Sequence, residues 1–475
     1  MREQAADFGV TITGGAAPWQ IFQQDGSGTA AIRLTGRYRR VRLSQELPLT
    51  FTDVQKGRVT VKARIARESS GDSVIPWTDC RVLDGGAWEV EFPAVPAGGL
   101  YRIETYMEYE GWDGLSCTRG DMVHNIGVGD VFVVAGQSNA AGRAKDPVDD
   151  PPELGVHLLR NSGRWDLATH PLGETTGAVY TGHYENHNPG HTPWLHFAKI
   201  LKRELGYPIG LVMAAYGGAP LRWWNADENG ALLYNMLELL DAYRLRPRAV
   251  LWYQGEAEGF EGGGDTYAAR FASFVSDVRE RLGAPALPFI TFQINRMYTP
   301  CGEAVDRQWG MVRQAQRDAM YALPGVYTLP SLDVAMYDFI HNAASGNLVI
   351  GERAARCALA ELYGRALEWR APEAVRAVRR GPDRVELLFE RVYNWLNCYE
   401  QPASLLPFDA EDGEGLVHPA AYEARRDSIL LTFARPLGKD AALHGAWRAN
   451  PGEQVPWDCM RLPMLGFYGL PIRDE

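Results

Sequence analysis

Five continuous apolar runs, separated by amphipathic segments, constrain the fold of this chain more than any other feature of its sequence. Such runs are typical of strands that are buried on both faces, and these occur in parallel sheets covered by helices. The segments between them have helical periodicity. The runs are 131–135, 209–214, 249–253, 289–293 and 326–329, and the helical segments are 194–205, 232–243, 266–282, 309–323 and 348–363. This alternation predicts a three-layer α/β/α doubly wound domain with a parallel five-stranded sheet.

The two ends of the chain have a different pattern, in which short runs alternate apolar and polar residues. Period-two alternation bounded by Gly, Pro and Asp indicates antiparallel strands. Such runs are 30–34, 58–63, 88–92 and 101–106 before the α/β part, and 385–389 and 428–433 after it. We therefore predict an N-terminal β-sandwich at 1–125, an α/β/α domain at 126–370 and a small β-rich domain at 371–475.

The composition of the chain argues against several classes of function. The formal net charge is −11, and no long Lys/Arg run offsets it, so neither nucleic acid nor an anionic membrane is an expected partner. The first residues have no basic region followed by an apolar one, which predicts a cytoplasmic protein unless an export signal was removed. The 6 cysteines include no C-x-x-C pair, so we predict free thiols and neither a metal nor a cofactor. The oligomeric state is left open.

A serine follows the first apolar run directly, within Gly136-Gln137-Ser138-Asn139. Ligands of doubly wound domains bind beyond the carboxyl ends of the strands, so the hydroxyl of Ser138 is expected in the crevice. Backbone N–H groups at the start of the next helix could stabilise an oxyanion there. Ser138 could equally be the N-cap of that helix, and the residue alone does not decide between the two roles.

Three more clusters follow later apolar runs. They are 214–221, which contains Gly217-Gly218; 251–256, which contains Gln254 and Glu256; and 338–342, which contains Asp338 and His341. Paired glycines let a backbone N–H approach a ligand, and a Gln amide can donate a hydrogen bond. An aspartate three residues before a histidine could orient it as a general base. Taken singly, each cluster could also be an ordinary turn or a structural ion pair.

Together the motifs G-Q-S-N, G-G, W-Y-Q-G-E and D-x-x-H resemble the SGNH-hydrolase superfamily, in its carbohydrate O-acetylesterase branch typified by sialate O-acetylesterases. The resemblance covers about residues 80–365. It implies a serine esterase in which Ser138 is the nucleophile and His341 the general base. Asp338 would orient the histidine, and Glu256 is the alternative acid.

The resemblance also implies an oxyanion hole and a sugar substrate. The donors would be the backbone N–H of Ser138, a backbone N–H of Gly217 or Gly218, and the side chain of Gln254. Residues near the strand ends are candidates for binding the substrate; they are Gln137, Asn139, Arg222, Trp223, Asn295 and Arg296, with Tyr180, Tyr184 and Asn186 in a preceding loop. The histidines 183, 187 and 191 have helical spacing, but Pro189-Gly190 interrupts any helix, so we predict no metal site.

The most specific hypothesis is therefore hydrolysis of O-acetyl groups from sialic acid or from acetylated plant polysaccharide fragments, through an acetyl-serine intermediate. The 14 Trp and 21 Tyr residues are compatible with stacking on sugar rings. Two alternatives remain open at this point. One is a carbohydrate-binding protein without catalytic activity, and the other is an esterase of the same fold that acts on acyl esters of other compounds.

Overall fold

The strands of the N-terminal region belong to two sheets, and most of them pair antiparallel. The computed structural model describes residues 9–39, 58–111, 114–179, 184, 189–398 and 400–474. The strands of this region are β1 (Gly9–Gly14), β2 (Ile21–Gln23), β3 (Thr29–Arg39), β4 (Val59–Arg67), β5 (Ser73–Asp79), β6 (Arg81–Val82), β7 (Ala87–Pro96) and β8 (Gly98–Gly111). One sheet has the order β1-β3-β7-β6, and β5, β4 and β8 pair in the other. The alternate residues of both sheets form one apolar core, which includes Ile32, Leu34, Ile65 and Ile103.

The middle region alternates strands and helices. Its elements are β9 (Gly114–Gly136), α1 (Ser138–Ala141), β10 (Val156–Leu159), β11 (Trp165–Leu167), α2 (Trp194–Leu205), β12 (Ile209–Met213), α3 (Ala231–Ala242), β13 (Ala249–Tyr253), α4 (Glu256–Glu261), α5 (Tyr267–Arg281), β14 (Phe289–Phe292), α6 (Glu303–Ala322), β15 (Val326–Leu329) and α7 (Ala344–Glu361). Each of the five predicted apolar runs forms a strand, and each predicted helical segment forms a helix; the largest difference in bounds is at α6, which begins six residues before the expected start at 309.

The central sheet is larger than the prediction of five strands. In the order β11-β10-β12-β9-β13-β14-β15, neighbours from β10 to β15 run parallel, whereas β11 pairs antiparallel with β10. Among the described residues, this path therefore has six parallel strands and one antiparallel edge strand; β2, β4, β5 and β8 join the same 11-stranded sheet through β9. The prediction missed β10 because this strand has only four residues and one of them is His157, although all four are buried.

The strand order places the helices on both faces of the sheet. After β9 the chain forms β10, β11 and β12 on one side of β9, and it then crosses over β9 to form β13, β14 and β15 on the other side. Because crossovers between parallel strands are right-handed, reversal of direction moves the connecting helices to the opposite face. Accordingly α2 packs against α7, and α5 packs against α3 and α6. The crevice for a ligand is expected at the carboxyl ends of β9, β12 and β13, where the direction reverses.

Strand β9 joins the N-terminal and middle regions. It is 23 residues long; its first part pairs with β8, and residues 130–136 lie between β12 and β13. The predicted domain boundary at 125/126 falls inside this strand. The two regions therefore share a continuous backbone element rather than a flexible linker.

The C-terminal region is all β. Its strands are β16 (Glu373–Arg379), β17 (Arg384–Glu390), β18 (Leu396–Asn397), β19 (Phe408–Asp412), β20 (Gly415–Val417), β21 (Pro419–Ala424), β22 (Ser428–Phe433), β23 (Ala442–Gly445), β24 (Trp457–Asp458) and β25 (Phe467–Arg473). Eight of them form a sheet with its own apolar core. The buried Arg313 of α6 attaches this region to the middle one, since its guanidinium donates to the carbonyls of Ile294 and Ala446.

All six cysteines lie in the described residues, and each is a free thiol. None of the helices that the structure describes combines the length and the apolar character required to cross a bilayer.

Candidate active site

Ser138 is the first residue of α1, immediately after β9. Gln137 occupies the N-cap position, and its backbone is extended at φ −118°. The alternative interpretation of Ser138 as an N-cap is therefore wrong. The turn requires a glycine before it, because Gly136 has φ +122° and a Cβ there would lie 2.2 Å from the carbonyl oxygen of Tyr253. The serine is presented at the end of the strand with 8% of its surface exposed.

Asp338 and His341 form a hydrogen-bonded pair at the tip of a tight hairpin. His341 Nδ1 lies 2.7 Å from Asp338 Oδ2, and Asp338 Oδ1 accepts the backbone N–H groups of Ile340 and His341. Burial disfavours the charged carboxylate, but these hydrogen bonds outweigh it and lower the pKa of Asp338. Because an anionic Asp338 only accepts hydrogen bonds, the neutral His341 ring carries its proton on Nδ1 and donates it to Asp338. The other ring nitrogen, Nε2, then has a free lone pair and can act as a base.

The side chain of Asn139 brings the serine and histidine segments together. Its Nδ2 donates to the carbonyl of Ile340 at 3.4 Å, and its Oδ1 accepts the N–H of Asn342 at 3.0 Å. These two residues flank His341, and Asn139 directly follows Ser138. Within the described residues the Ser138 hydroxyl and the His341 ring are not hydrogen-bonded to each other. Asn139 was predicted to bind substrate, but it is buried and acts as a brace between two loops.

Glu256, the alternative acid, is placed away from the histidine ring. Its Oε1 accepts from Asn139 Nδ2 at 2.7 Å, and the residue is 2% exposed. Burial raises the pKa of Glu256 to about 7, against the smaller opposing effect of the hydrogen bond from Asn139. Of the two candidate acids, Asp338 is the one that contacts His341.

The raised pKa of Glu256 makes a prediction about stability. A folded-state pKa of about 7 against an ordinary 4.5 means that the folded protein loses stability as pH rises between these values, by on the order of 3 kcal/mol. Glu256→Gln removes this titration. The unfolding free energy of the variant minus that of wild type is expected to increase from pH 4.5 to pH 7. Above pH 7 it should stay constant.

This prediction is checked by urea denaturation at several pH values. The exposed Glu280→Gln on α5 is the matched control, and its difference from wild type should stay flat. A flat difference for Glu256→Gln as well would contradict the prediction.

Gln137 and Gln254 connect β9, β13 and the loop after β12. Gln137 Oε1 accepts the N–H groups of Gly255 and Ala257 at 3.3 and 3.2 Å. Gln254 is fully buried, and its Nε2 donates to the carbonyl of Ala219 at 3.2 Å and to the carboxylate of Glu258. An amide nitrogen has two hydrogens, and both are used here.

Two predicted roles therefore need correction. Gln254 is not available as an oxyanion donor in this structure, because its two hydrogens are committed to buried acceptors. Gln137 is buried beneath the site rather than exposed to substrate. Sequence reasoning could not find this, since a Gln at a strand end can turn either toward the crevice or toward the neighbouring loop.

The glycine pair lies close to the serine turn. Tyr216 N donates to the carbonyl of Gly136 at 3.1 Å, which places the residues after β12 beside the end of β9. Gly218 is exposed, has φ +67° and would accept a Cβ without meeting any atom within 4 Å. Gly217 is partly buried. The glycine pair therefore lies on a segment that is hydrogen-bonded to the end of β9, beside the turn that carries Ser138.

The remaining residues predicted to bind substrate differ in how far their side chains are exposed to solvent. Trp223 is partly buried and packs edge to face on Tyr216, with 5.8 Å between ring centroids, and the exposed Arg222 pairs with Glu261. Tyr184 is 58% exposed. Tyr180 and Asn186 lie outside the described residues.

Asn295 and Arg296 are buried, which contradicts their predicted role in binding substrate. The guanidinium of Arg296 donates to the carbonyls of Leu332 and Val334, and Asn295 Nδ2 donates to Asn342 Oδ1 at 2.8 Å. These bonds hold the segment that leads into the Asp338–His341 hairpin. Both residues therefore fix the position of the hairpin through buried hydrogen bonds and are not exposed to substrate.

A cluster that the sequence did not predict lies beside the serine segment. Asp150 Oδ2 is 2.9 Å from His170 Nε2 and 3.1 Å from His191 Nε2, and these three atoms are close enough to hold a metal ion. The spacing of 20 or more residues between them gave no motif. His183 and His187, which were weighed with His191, lie outside the described residues.

The contacts of this cluster favour hydrogen bonding over metal binding. Lys199 Nζ lies 2.5 Å from Asp150 Oδ1 and already neutralises the carboxylate. Asn347 Nδ2 approaches His191 Nδ1 at 3.4 Å and donates to the His191 carbonyl at 2.9 Å. Because an amide N–H faces Nδ1, the proton of His191 belongs on Nε2, toward Asp150, where a metal would require a lone pair.

A cavity of about 530 Å³ opens next to this cluster. Its lining includes Ala144–Pro151, His170, Pro171 and Pro189–His191. One wall begins at Ala144, three residues after the end of α1, and Asp146 in that wall accepts the N–H of Ala344 at the start of α7. The lining segment 144–151 is thus hydrogen-bonded to the segment that follows His341.

The fold and the site define a class: a doubly wound α/β domain with flanking β-regions, in which polar residues gather at the carboxyl ends of the strands. Residues 128–360 match the family described as "Carbohydrate esterase, sialic acid-specific acetylesterase". This match agrees with the resemblance drawn from the four motifs and supports a carbohydrate esterase fold for this part of the chain. A comparison with curated proteins finds no sequence match.

Solved structures extend the similarity of fold beyond the family domain. A carbohydrate acetylesterase from Xanthomonas citri is 22% identical and has a TM-score of 0.65, covering 96% of this chain and 99% of its own. A protein from Arabidopsis thaliana is 24% identical over 49% of this chain and 98% of its own, with a TM-score of 0.42. The first comparison indicates that the whole architecture, including the flanking β-regions, occurs in a second protein.

Proposed function

We propose that this chain is a serine esterase that removes O-acetyl groups from carbohydrates through an acetyl-serine intermediate. The observation that carries the proposal is the pair of hydrogen bonds made by the Asn139 side chain. They join the residue next to Ser138 to Ile340 and Asn342, the two neighbours of His341. The match of residues 128–360 to a carbohydrate esterase family supports the substrate class.

The roles of the residues follow from their contacts. Asp338 holds the proton of His341 on Nδ1, so Nε2 can take the proton of the Ser138 hydroxyl. The hydrogen bond between serine and histidine forms when substrate is bound, as is common for catalytic contacts that are loose in the free enzyme. Asn139 fixes the relative position of the two segments and takes no part in proton transfer.

The reaction has two steps. Ser138 Oγ attacks the acetyl carbonyl carbon while its proton passes to His341 Nε2, and the N–H groups of Ser138 and Gly218 stabilise the oxyanion. The C–O bond to the sugar then breaks, and His341 returns the proton to the leaving sugar oxygen. In the second step a water gives its proton to His341 and attacks the acetyl-serine. Collapse of this second oxyanion releases acetate and restores the Ser138 hydroxyl.

Two measurements test the proposal. A fluorophosphonate probe followed by peptide mapping should label Ser138, and acetate should be released from at least one of acetylated sialic acid, xylan, xyloglucan or pectin fragments. Absence of labelling together with sugar binding would support the binding-protein alternative instead. Strong preference for long acyl chains of p-nitrophenyl esters over the acetyl ester would support an esterase for other compounds.

A further inference from the structure

The hairpin that carries Asp338 and His341 has a rigid tip. Met336 pairs with Asn342, and the N–H of Tyr337 donates to the carbonyl of His341 at 2.8 Å. Inside the tip, Asp338 Oδ1 accepts two further backbone N–H groups. The tip residues are therefore fixed by hydrogen bonds, and their side chains are presented from a defined backbone.

Three aromatic side chains at this tip are exposed to solvent. Tyr298, Tyr337 and Phe339 are 40%, 41% and 52% exposed, and we call them the aromatic rim. Tyr298 belongs to the rim because its N–H donates to the carbonyl of Phe339 at 2.8 Å. In the described part of the chain, no ring contact involves Tyr337 or Phe339. Exposed apolar groups clustered on a rigid element typically mark a surface that binds a ligand.

The proposed reaction places the sugar next to this rim. His341 returns its proton to the oxygen of the leaving sugar, so that oxygen must lie within hydrogen-bond distance of the His341 ring. Tyr337 and Phe339 are the two neighbours of Asp338, the partner of that ring. Sugar units linked to the leaving residue therefore start close to the hairpin and can reach the side chains at its tip. Flat aromatic faces pack against the C–H faces of sugar rings.

We propose that the aromatic rim binds sugar units beyond the acetylated one, so that the substrate is an acetylated oligosaccharide or polysaccharide chain and not an acetylated monosaccharide. This inference rests on the proposed esterase function, because it takes the position of the leaving sugar from the role of His341. It goes further in assigning a binding site to residues that the catalytic motifs do not include.

The test compares chain lengths. Chemically acetylated xylo- and cello-oligosaccharides of one to six units are assayed for kcat/KM, with p-nitrophenyl acetate as a substrate that has no sugar. Wild type is expected to favour the longer chains over the monosaccharides. In the double variant Tyr337→Ala/Phe339→Ala, the ratio of kcat/KM for the longest chain to that for p-nitrophenyl acetate should fall about tenfold, mainly through KM.

Further variants separate stacking from a general disturbance of the loop. Phe339→Trp keeps a flat ring and should retain the preference for long chains. Trp395→Ala removes an aromatic side chain that is 53% exposed in the C-terminal region, and it should change neither activity. Equal activity of wild type on monosaccharides and long chains, or an unchanged ratio in the double variant, would overturn the inference while leaving the esterase proposal intact. Absence of any hydrolysis by wild type would overturn both.

Discussion

Ser138→Ala is expected to reduce acetate release by about 10⁴-fold or more, the effect typical of removing the nucleophile of a serine hydrolase. The physical reason is that no acetyl-enzyme can form without Oγ, whereas the backbone donors of the oxyanion hole remain. The substitution removes one oxygen from the first residue of α1, and Gln137 keeps the N-cap position. Folding should therefore be unaffected, which a thermal melt of the variant checks.

The measurement is acetate release from the best sugar ester and from p-nitrophenyl acetate. Ser276→Ala on the exposed side of α5 is the matched control and should retain wild-type rates. Loss of labelling by a fluorophosphonate should accompany the loss of activity. If Ser138→Ala kept more than a few per cent of the rate, the nucleophile would be another residue and the proposed mechanism would be incorrect.

Asp338→Asn is expected to lower kcat by about 10⁴-fold, as the same change does in other Ser-His-Asp triads. Asparagine keeps an oxygen for the N–H groups of Ile340 and His341, so the hairpin tip should persist. What it loses is the negative charge that holds the His341 proton on Nδ1. An amide N–H at that position favours the other tautomer, in which Nε2 is protonated and cannot act as a base.

Glu256→Gln provides the contrast for this prediction. Glu256 contacts Asn139 and not the histidine ring, so its amide should reduce kcat by far less than Asp338→Asn does. Kinetics of the two variants on p-nitrophenyl acetate, with a pH profile of kcat/KM for each, decide between the candidate acids. A larger loss in Glu256→Gln than in Asp338→Asn would falsify the assignment of Asp338.

Several features of the fold could be predicted from sequence because they depend on local pattern. Strands such as β12 and β13 are apolar throughout, and a buried strand of five residues leaves a clear signal. The strand β10 was missed because four residues that include His157 do not give such a signal. The long strand β9 could not be predicted either, since its first half alternates and its second half is continuously apolar.

For some residues of the candidate site the sequence predicts the contact partner, and for others it does not. Asp338 and His341 are three residues apart, so a short turn is enough to pair them. The direction in which a polar side chain points depends on neighbours that are distant in sequence. Gln254, Asn295 and Arg296 were expected at the crevice, and each instead bonds to buried groups from other elements.

The sequence by itself determined the α/β class and the positions of the clusters after buried strands, and it supplied Ser138, Asp338 and His341 as candidates, because each of these follows from local periodicity or from a short motif. Only the tertiary structure decided which acid contacts His341, which polar residues brace the site and how Asp150, His170 and His191 meet. These outcomes depend on hydrogen bonds between segments up to about two hundred residues apart, such as Asn139 with Asn342, and no local pattern encodes such contacts.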